Sequence, residues 1–279
     1  MNYFKLYRTP HGHVIQSSQS DKSIFHQATS WDDFINQENL FEACAKAFAH
    51  GTEINFGDIH LLHPVDQQEI WAAGVTYLRS KVARMEESKE SGGDTFYDKV
   101  YSAPRPEIFY KGNSHRAVGQ GGEVRIRKDS AWNVPEPELT LFVNAQGKLA
   151  GYTIGNDMSS RDIEGENPLY LPQAKVYDGA AGIGPCLLVT DKPLAPETVI
   201  DMRIFRDGDE VFQGDTQISQ MKRTHAELVE YLTREMTFSK GTFLMTGTCV
   251  VPDHPFTLQS GDRIEIQIEP IGTLIQIVA

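Results

Sequence analysis

The sequence predicts an α+β protein dominated by a large mixed or antiparallel sheet system. Short runs in which apolar and polar residues alternate recur along the later part of the chain, and this period of two is typical of half-buried strands. Helical periodicity interrupts these runs clearly in only two places. A shorter αβ segment precedes them, so we expect a small N-terminal αβ domain at residues 1–65 and a larger domain at residues 66–279.

The N-terminal segment contains one predicted strand and one predicted helix. Residues 4–7 alternate as a strand does. Ser30 and Asp33 form an S-x-x-D helix start, apolar residues follow as far as Phe48, and Gly51 ends the pattern. Pro64 marks the soft boundary with the larger domain.

The larger domain alternates between predicted strands and two predicted helices. The strands are 138–143, 150–154, 187–190, 199–205, 263–268 and 274–278. One helix is predicted at 77–89, where Leu78, Val82 and Met85 share a face, and the other at 224–235, which begins with a T-x-x-E capping box. The polar segment 86–98, with its Gly-Gly pair, is a candidate mobile lid or a plain solvent loop.

Composition excludes several classes of protein. The 279-residue chain carries 38 acidic and 26 basic residues, a net charge of −12, which disfavours nucleic acid and anionic membranes as partners. No apolar run reaches the roughly 20 residues of a membrane span. The N-terminal residues lack a signal-peptide pattern, and the three distant cysteines (Cys44, Cys186 and Cys249) favour a reducing cytoplasm over a disulfide framework.

Three carboxylates form a candidate metal site. Glu136 and Glu138 are two residues apart in an extended segment and therefore point to the same side. An E-x-E pattern alone is also typical of a solvated acidic edge. Asp157 ends an apolar strand, where a buried carboxylate needs a partner, and the three together suit a hard cation, Mg²⁺ or Mn²⁺.

Two further segments are candidates for binding an anion. Lys175 lies in a nearly uncharged stretch that is followed by small residues, so it either snorkels to solvent or faces an anionic ligand. Thr246 and Thr248 flank Gly247 in an apolar segment, which is typical of a strand turn or of a carboxylate-binding nest.

Taken together, these motifs resemble the fumarylacetoacetate hydrolase family. The resemblance covers residues 66–279 and rests on E-P-E, N-D-M-S-S-R-D, the lone lysine before I-G-P, and T-G-T. It implies a mixed β-roll catalytic domain, a divalent metal that is usually Mg²⁺, a 2-oxo acid substrate, and a homodimer or homotetramer. The metal ligands would be Glu136, Glu138 and Asp157, and Lys175 and Thr248 would contact the substrate.

A departure from the family pattern bears on the reaction. Its C–C hydrolases usually show G-x-N-Y followed by histidine, whereas this chain has Thr76 in place of the asparagine and Ser80 in place of the histidine. A general base for hydrolytic water is then missing, which disfavours hydrolysis, although a carboxylate could substitute.

Segments 74–77, 105–111, 167–173 and 271–275 resemble a sugar-acid dehydratase branch of the family, and in this branch the likeness extends through the N-terminal segment. This implies that a 2-keto-3-deoxypentonate, such as 2-dehydro-3-deoxy-D-arabinonate, loses water to give 2,5-dioxopentanoate in oxidative pentose breakdown. Two alternatives stay open: a hydrolase or decarboxylase of an acylpyruvate-like substrate, and a binding module without catalysis.

The sequence offers candidates for the acid, the base and the substrate contacts. Glu107 is our candidate acid or base, because in a strand it shares a face with Phe109 and Lys111, although this pattern also fits an ordinary ion pair. Lys175 could equally be the base. The predicted substrate contacts are Tyr77, Arg79 and Lys111. For Arg79, an ordinary position on the protein surface is the commoner alternative.

Overall fold

The computed structural model describes residues 1–27, 30–79 and 99–279. Its strands are β1 (Tyr3–Thr9), β2 (Gly12–Ser17), β3 (Ser20–His26), β4 (Thr52–Ile54), β5 (Glu69–Gly74), β6 (Glu107–Asn113), β7 (Ala117–Val118), β8 (Glu123–Val124), β9 (Asn133–Val134), β10 (Pro137–Val143), β11 (Leu149–Asp157), β12 (Ser159–Ser160), β13 (Ala181–Thr190), β14 (Val199–Arg206), β15 (Asp209–Gln217), β16 (Thr242–Met245), β17 (Arg263–Ile268) and β18 (Gly272–Val278). Its α-helices are α1 (Trp31–Ile35), α2 (Leu40–His50), α3 (Arg161–Glu166), α4 (Leu171–Lys175) and α5 (His225–Thr233).

Two sheets account for most of these strands. The larger has the order β4-β3-β2-β1-β13-β11-β10-β16-β5-β6, with β7 paired to β13, and the smaller has the order β15-β14-β17-β18-β8. Pairing in the larger sheet is mainly antiparallel, but β16 runs parallel to β5 and β13 runs parallel to β7. The predicted α+β class with a mixed sheet is confirmed, and the six predicted strands of the larger domain all lie within observed strands.

The predicted helices are confirmed in part. The helix at 224–235 is α5, and the Thr224 hydroxyl accepts a hydrogen bond from the Glu227 amide as the capping box requires. The single helix expected after Ser30 is wrong, because the chain forms α1 and α2 there. The Asn36 side chain donates to a carbonyl of α1 and to the distant Lys240 carbonyl, and the Asn39 side chain caps α2.

The predicted helix at 77–89 begins as expected, since Leu78 and Arg79 are helical. Its continuation, including Val82 and Met85, and the candidate lid at 86–98 lie outside the described residues. Ser80 lies outside them as well.

The N-terminal segment shares its sheet with the rest of the chain. Strand β1 pairs antiparallel with β13 from Tyr3 opposite Thr190 to Leu6 opposite Leu187. Buried side chains of this segment, such as Leu6, belong to the same apolar cluster as Leu187 and Phe243. The division into domains 1–65 and 66–279 stays a prediction.

Two further findings concern the whole described chain. All three cysteines are buried and free of disulfide bonds. Among the described residues, the search for a helix with the length and apolar character needed to span a bilayer found none.

His11 and His13 are only two residues apart, but they lie in different environments. His13 is buried, its ring centroid lies 4.2 Å from that of Phe34, and its Nε2 lies 3.2 Å from His26 Nδ1, whereas His11 is exposed. Burial, and then the neighbouring His26, lower the pKa of His13 to about 4. The imidazole of His13 is therefore a neutral part of the N-terminal core.

This neutral histidine predicts acid sensitivity. The ordinary pKa of histidine is 6.5, so below this pH His13 is protonated in the unfolded chain but stays neutral in the folded protein. The free energy of unfolding should therefore fall as the pH drops toward about 4. A shift of this size corresponds to a loss on the order of 3 kcal/mol. Urea unfolding at several pH values should show a shallower pH dependence for His13→Leu. His11→Leu is the control, and an unchanged slope in His13→Leu would contradict the assignment.

Candidate metal centre and active site

The pairing of β10 with β11 brings the three predicted carboxylates together. Glu136 immediately precedes β10, Glu138 is its second residue, and Asp157 ends β11. The Asp157 amide donates to the Glu136 carbonyl at 2.9 Å, and Glu138 lies opposite Gly155 in the antiparallel register. Each of the three is buried, and one carboxylate oxygen from each lies within 4.8 Å of the others. The structure thus forms the oxygen cluster that the sequence predicts.

Glu138 is the member of the cluster that lacks a cationic partner among the described residues. Its Oε2 accepts a hydrogen bond from the Gly247 amide at 2.5 Å, yet among the described residues no lysine or arginine lies within ion-pair distance of it. Burial, followed by the charges of Asp157 and Glu136, raises the pKa of Glu138 well above its ordinary value. A hard divalent cation among the three carboxylates would relieve this repulsion, so the residues present fit such an ion.

Lys175 lies inside the cluster rather than at the surface. It ends α4, it is fully buried, and its Nζ lies 2.9 Å from Glu136 Oε2 and 3.1 Å from Asp157 Oδ2. The same ammonium donates to Ser159 Oγ at 2.5 Å. Of the two interpretations of Lys175, snorkelling is therefore excluded. Its ammonium faces the anionic groups of the site.

Arg161 is a component of the site that the sequence did not assign to it. Asp157 and Asp162 are close to it along the chain, but its Nη2 lies 2.8 Å from Glu136 Oε1. Its Nε lies 3.9 Å from Glu164 Oε2, and both side chains are buried. Since Lys175 contacts Oε2 of Glu136 and Arg161 contacts Oε1, this carboxylate is held on both oxygens.

A cavity opens onto the carboxylates, and the ends of β5 and β16 form one wall of it. This wall consists of Ala73, Gly74, Val75, Gly247 and Thr248, and Phe109 of β6 also lines the cavity. The Thr76 hydroxyl donates to the Thr246 carbonyl at 2.7 Å and joins the two strand ends. Gly247 has φ = 93°, and a Cβ there would lie 2.0 Å from Thr76 Oγ1, so only glycine fits.

The same wall contains a strained residue. Val75 has φ = 53°, a left-handed conformation that is rare for a β-branched side chain and that often occurs at functional sites. Thr248 is buried beside it and also lines the cavity, and its hydroxyl accepts a hydrogen bond from the Val250 amide at 3.1 Å. The predicted contact of Thr248 with substrate stays a prediction, and its position fits that role.

Glu107 lies next to the cavity wall because it packs against Gly74. The two residues pair in the β5–β6 ladder, and a Cβ added at Gly74 would lie only 2.0 Å from Glu107 Oε2. The absence of a side chain at position 74 therefore makes room for the Glu107 carboxylate next to the cavity. Lys111 was predicted on the same strand face, but its Nζ pairs with Asp157 Oδ1 at 2.5 Å.

The remaining predicted substrate contacts lie in different environments. Tyr77 is buried, and burial raises the pKa of its phenol. The Arg79 side chain is 59% exposed, and its Nη2 lies 3.4 Å from Asp253 Oδ1, which is the surface outcome we considered commoner. Substrate contact by either residue stays a prediction.

Comparison with known proteins finds a matching family and similar dehydratases. The family described as fumarylacetoacetate (FAA) hydrolase C-terminal matches residues 69–279. A probable 2-keto-3-deoxyxylonate dehydratase of Haloferax volcanii is 50% identical over 220 residues, which cover 78% of this chain and 75% of that protein. A 2-dehydro-3-deoxy-D-arabinonate dehydratase of Saccharolobus solfataricus is 42% identical over 220 residues, covering 78% and 74%.

A solved structure shares the whole fold. It is a 2-keto-3-deoxy-D-arabinonate dehydratase complexed with magnesium and 2,5-dioxopentanoate, with a TM-score of 0.82, 32% sequence identity, and coverage of 100% of this chain and 98% of that one. The family match spans well over half of the chain and includes all three carboxylates and Lys175. The chain therefore belongs to the fumarylacetoacetate hydrolase family.

Proposed function

We propose that this chain catalyses the Mg²⁺-dependent dehydration of a 2-keto-3-deoxypentonate, of the 2-dehydro-3-deoxy-D-arabinonate type, to 2,5-dioxopentanoate in oxidative pentose catabolism. The observation that carries this proposal is the buried cluster of Glu136, Glu138 and Asp157 with the Lys175 ammonium among them. The similarity of this chain to two dehydratases, at 50% and 42% identity, supports the hydro-lyase reaction over the hydrolytic one.

The donor set is suited to Mg²⁺. Glu136, Glu138 and Asp157 would hold the ion, and Mn²⁺ also accepts such oxygen ligands. When bound, the cation acts as a Lewis acid that polarises the oxygen of a 2-oxo acid. Arg161 and Lys175 hold the two oxygens of Glu136 from either side, so that carboxylate is oriented by the protein itself.

Dehydration requires two proton transfers, which we assign to Lys175 and Glu107. One group removes a proton from C3, next to the oxo group, and the other gives a proton to the C4 hydroxyl as it leaves as water. Tautomerisation then gives the C5 aldehyde. Lys175 contacts Glu136 and Asp157, which line the cavity, and the Glu107 carboxylate lies beside Gly74, which also lines it.

One assay tests the proposed function. The protein is incubated with Mg²⁺ and a panel of 2-keto-3-deoxy acids, and the aldehyde product is followed with a coupled semialdehyde dehydrogenase. We expect aldehyde from a 2-keto-3-deoxypentonate and none after chelation of the metal. Pyruvate released from an acylpyruvate, without aldehyde from any sugar acid, would favour the hydrolase instead.

The space at Gly74 gives a test of Glu107 that leaves its charge in place. An alanine methyl at position 74 would occupy the position of the Glu107 carboxylate, so Gly74→Ala should lower kcat by about 100-fold through misplacement. Glu107→Gln should lower it by about 10²- to 10⁴-fold. The Mg²⁺ affinity should be unchanged in both variants. Gly57→Ala is the matched control, because the nearest atom to a Cβ there lies at 3.7 Å. Full turnover of Glu107→Gln would remove Glu107 from the mechanism.

We further propose that the enzyme works in the cytoplasm as a homodimer or homotetramer. The three free, buried cysteines fit a reducing compartment. The family resemblance implies a homo-oligomer, and light scattering on the purified chain would test the number of subunits.

A further inference from the structure

Lys111 occupies the extra position of a β-bulge in β6. Trp71 pairs with Tyr110 and Ile70 pairs with Gly112. Lys111, which lies between Tyr110 and Gly112, is therefore an extra residue of β6 with no counterpart in the register of β5. A bulge of this kind redirects the side chain that it carries. Here the redirected side chain is fully buried.

Three protein acceptors surround the Lys111 ammonium. Its Nζ lies 2.5 Å from Asp157 Oδ1, 2.9 Å from the Met158 carbonyl oxygen and 2.5 Å from the Lys175 carbonyl oxygen. An ammonium has three N–H donors and no acceptor. Two donors bond to the carbonyl oxygens, and the Asp157 carboxylate lies at ion-pair distance, so the ammonium is enclosed by acceptors of the protein. Lys111 is also absent from the residues that line the cavity at the carboxylates.

The acceptors come from two separate segments of the site. Asp157 and Met158 lie at the end of β11, whereas the carbonyl of Lys175 lies at the last residue of α4. The other oxygen of Asp157, Oδ2, lies 3.1 Å from Lys175 Nζ. Lys111 thus holds the backbone of Lys175 and also the carboxylate that the Lys175 side chain contacts.

We propose that Lys111 is a positioning residue of this active site, which fixes Asp157 and the backbone of Lys175 relative to each other and does not touch the substrate. This role differs from the substrate contact that the sequence predicts for Lys111. It rests on the proposed function, because it assigns a task within the same site. A methionine at this position would fill similar space but would leave two carbonyls without their donor and the Asp157 carboxylate without this positive charge.

The test compares Lys111→Met with the control Lys192→Met, which alters an exposed lysine outside the site. Calorimetric titration with Mg²⁺ should show a Kd raised about 10- to 100-fold in Lys111→Met, as expected when a group that orients a metal ligand is lost. At saturating Mg²⁺, kcat should fall at least about tenfold while KM stays within about twofold. An unchanged Mg²⁺ affinity, or a KM raised more than about tenfold at saturating Mg²⁺, would overturn the proposal.

Failure of the proposed function would be distinguishable from failure of this inference. If the wild-type protein dehydrates no 2-keto-3-deoxy acid, the Mg²⁺ titration of Lys111→Met still decides the role of Lys111. If Lys111→Met does not fold, a crystal structure of the wild-type protein with Mg²⁺ and pyruvate decides it. Lys111 Nζ bonded to its three protein acceptors supports the proposal, and Nζ within hydrogen-bond distance of pyruvate overturns it.

Discussion

Lys175→Met is expected to lower kcat by about 10²- to 10⁴-fold, the usual effect of removing a general acid or base. The Lys175 ammonium lies within 3.1 Å of Glu136, Asp157 and Ser159 at the bottom of the site, and methionine has a similar length but carries no proton to transfer. Turnover is measured at saturating Mg²⁺ with the coupled aldehyde assay, so that any change in metal affinity does not enter the rate.

Lys175→Met should also destabilise the protein, because it removes a positive charge from beside the buried carboxylates. Breaking a buried ion pair from one side costs about 3–5 kcal/mol, so Lys175→Met should unfold more easily than wild type in the presence of a chelator. Mg²⁺ should return most of that stability, because a bound cation replaces the lost positive charge beside Glu136 and Asp157. Urea unfolding with EDTA and with Mg²⁺ measures both effects.

The controls separate chemistry from folding. Lys192→Met alters an exposed lysine and should leave both the rate and the stability unchanged. A kcat for Lys175→Met that stays within about tenfold of wild type would rule out a proton-transfer role for this lysine. Stability that Mg²⁺ does not restore would argue that the ion binds elsewhere.

The sequence predicts the strands of this fold well because their signal is local. A period of two residues places 263–268 and the core of β10 correctly without knowledge of their partners. The carboxylate cluster is also accessible from sequence, because Glu136 and Glu138 are two residues apart and Asp157 ends the adjacent antiparallel strand. A short loop between neighbouring strands makes such a juxtaposition predictable.

Features that depend on distant contacts are not accessible in this way. Strict alternation along β6 puts Lys111 on the face of Glu107, but the bulge arises from how β5 pairs with β6 and redirects Lys111 to Asp157. The break between α1 and α2 depends in part on Asn36, whose side chain bonds a carbonyl 204 residues away. Neither partner can be recognised from the residues nearby.

The role of Arg161 shows an intermediate case. Its motif marks the end of β11 as part of the candidate site, where the structure places Arg161, but its position in the chain suggests only nearby acids such as Asp157 and Asp162. In the structure its guanidinium reaches Glu136, 25 residues back, because β12, which immediately precedes Arg161, pairs with β9, which ends just before Glu136. Sequence therefore identifies the participants of this site more reliably than it identifies which of them pair.

Glu138→Gln is expected to weaken Mg²⁺ binding by more than about 100-fold, since loss of a supporting group alone costs about 10- to 100-fold. Turnover should fall below about 1% of wild type, because metal-ion stabilisation is worth several kcal/mol and each 1.4 kcal/mol is a factor of ten. Glutamine keeps an oxygen for the Gly247 amide, so the local hydrogen bond can persist. Calorimetric titration with Mg²⁺ and the aldehyde assay measure the two effects.

The same substitution should stabilise the protein when the metal is chelated. Burial and the charges of Asp157 and Glu136 raise the pKa of Glu138, so the folded state holds a proton that the unfolded chain releases above its ordinary pKa of 4.5. Stability in EDTA should therefore fall as the pH rises from that value, and Glu138→Gln should flatten this slope. For wild type, Mg²⁺ affinity should rise with pH, because the ion and the proton compete for one carboxylate.

These opposite effects are what distinguish a metal ligand from a structural acid. A buried glutamate that only supports the fold would lose stability when it becomes glutamine, whereas a ligand held in excess negative charge should gain stability and lose metal affinity. Glu123→Gln, at an exposed position in β8, is the control and should change neither. If Glu138→Gln is less stable than wild type in EDTA and still binds Mg²⁺ with wild-type affinity, then the three-carboxylate site is not where the cation acts.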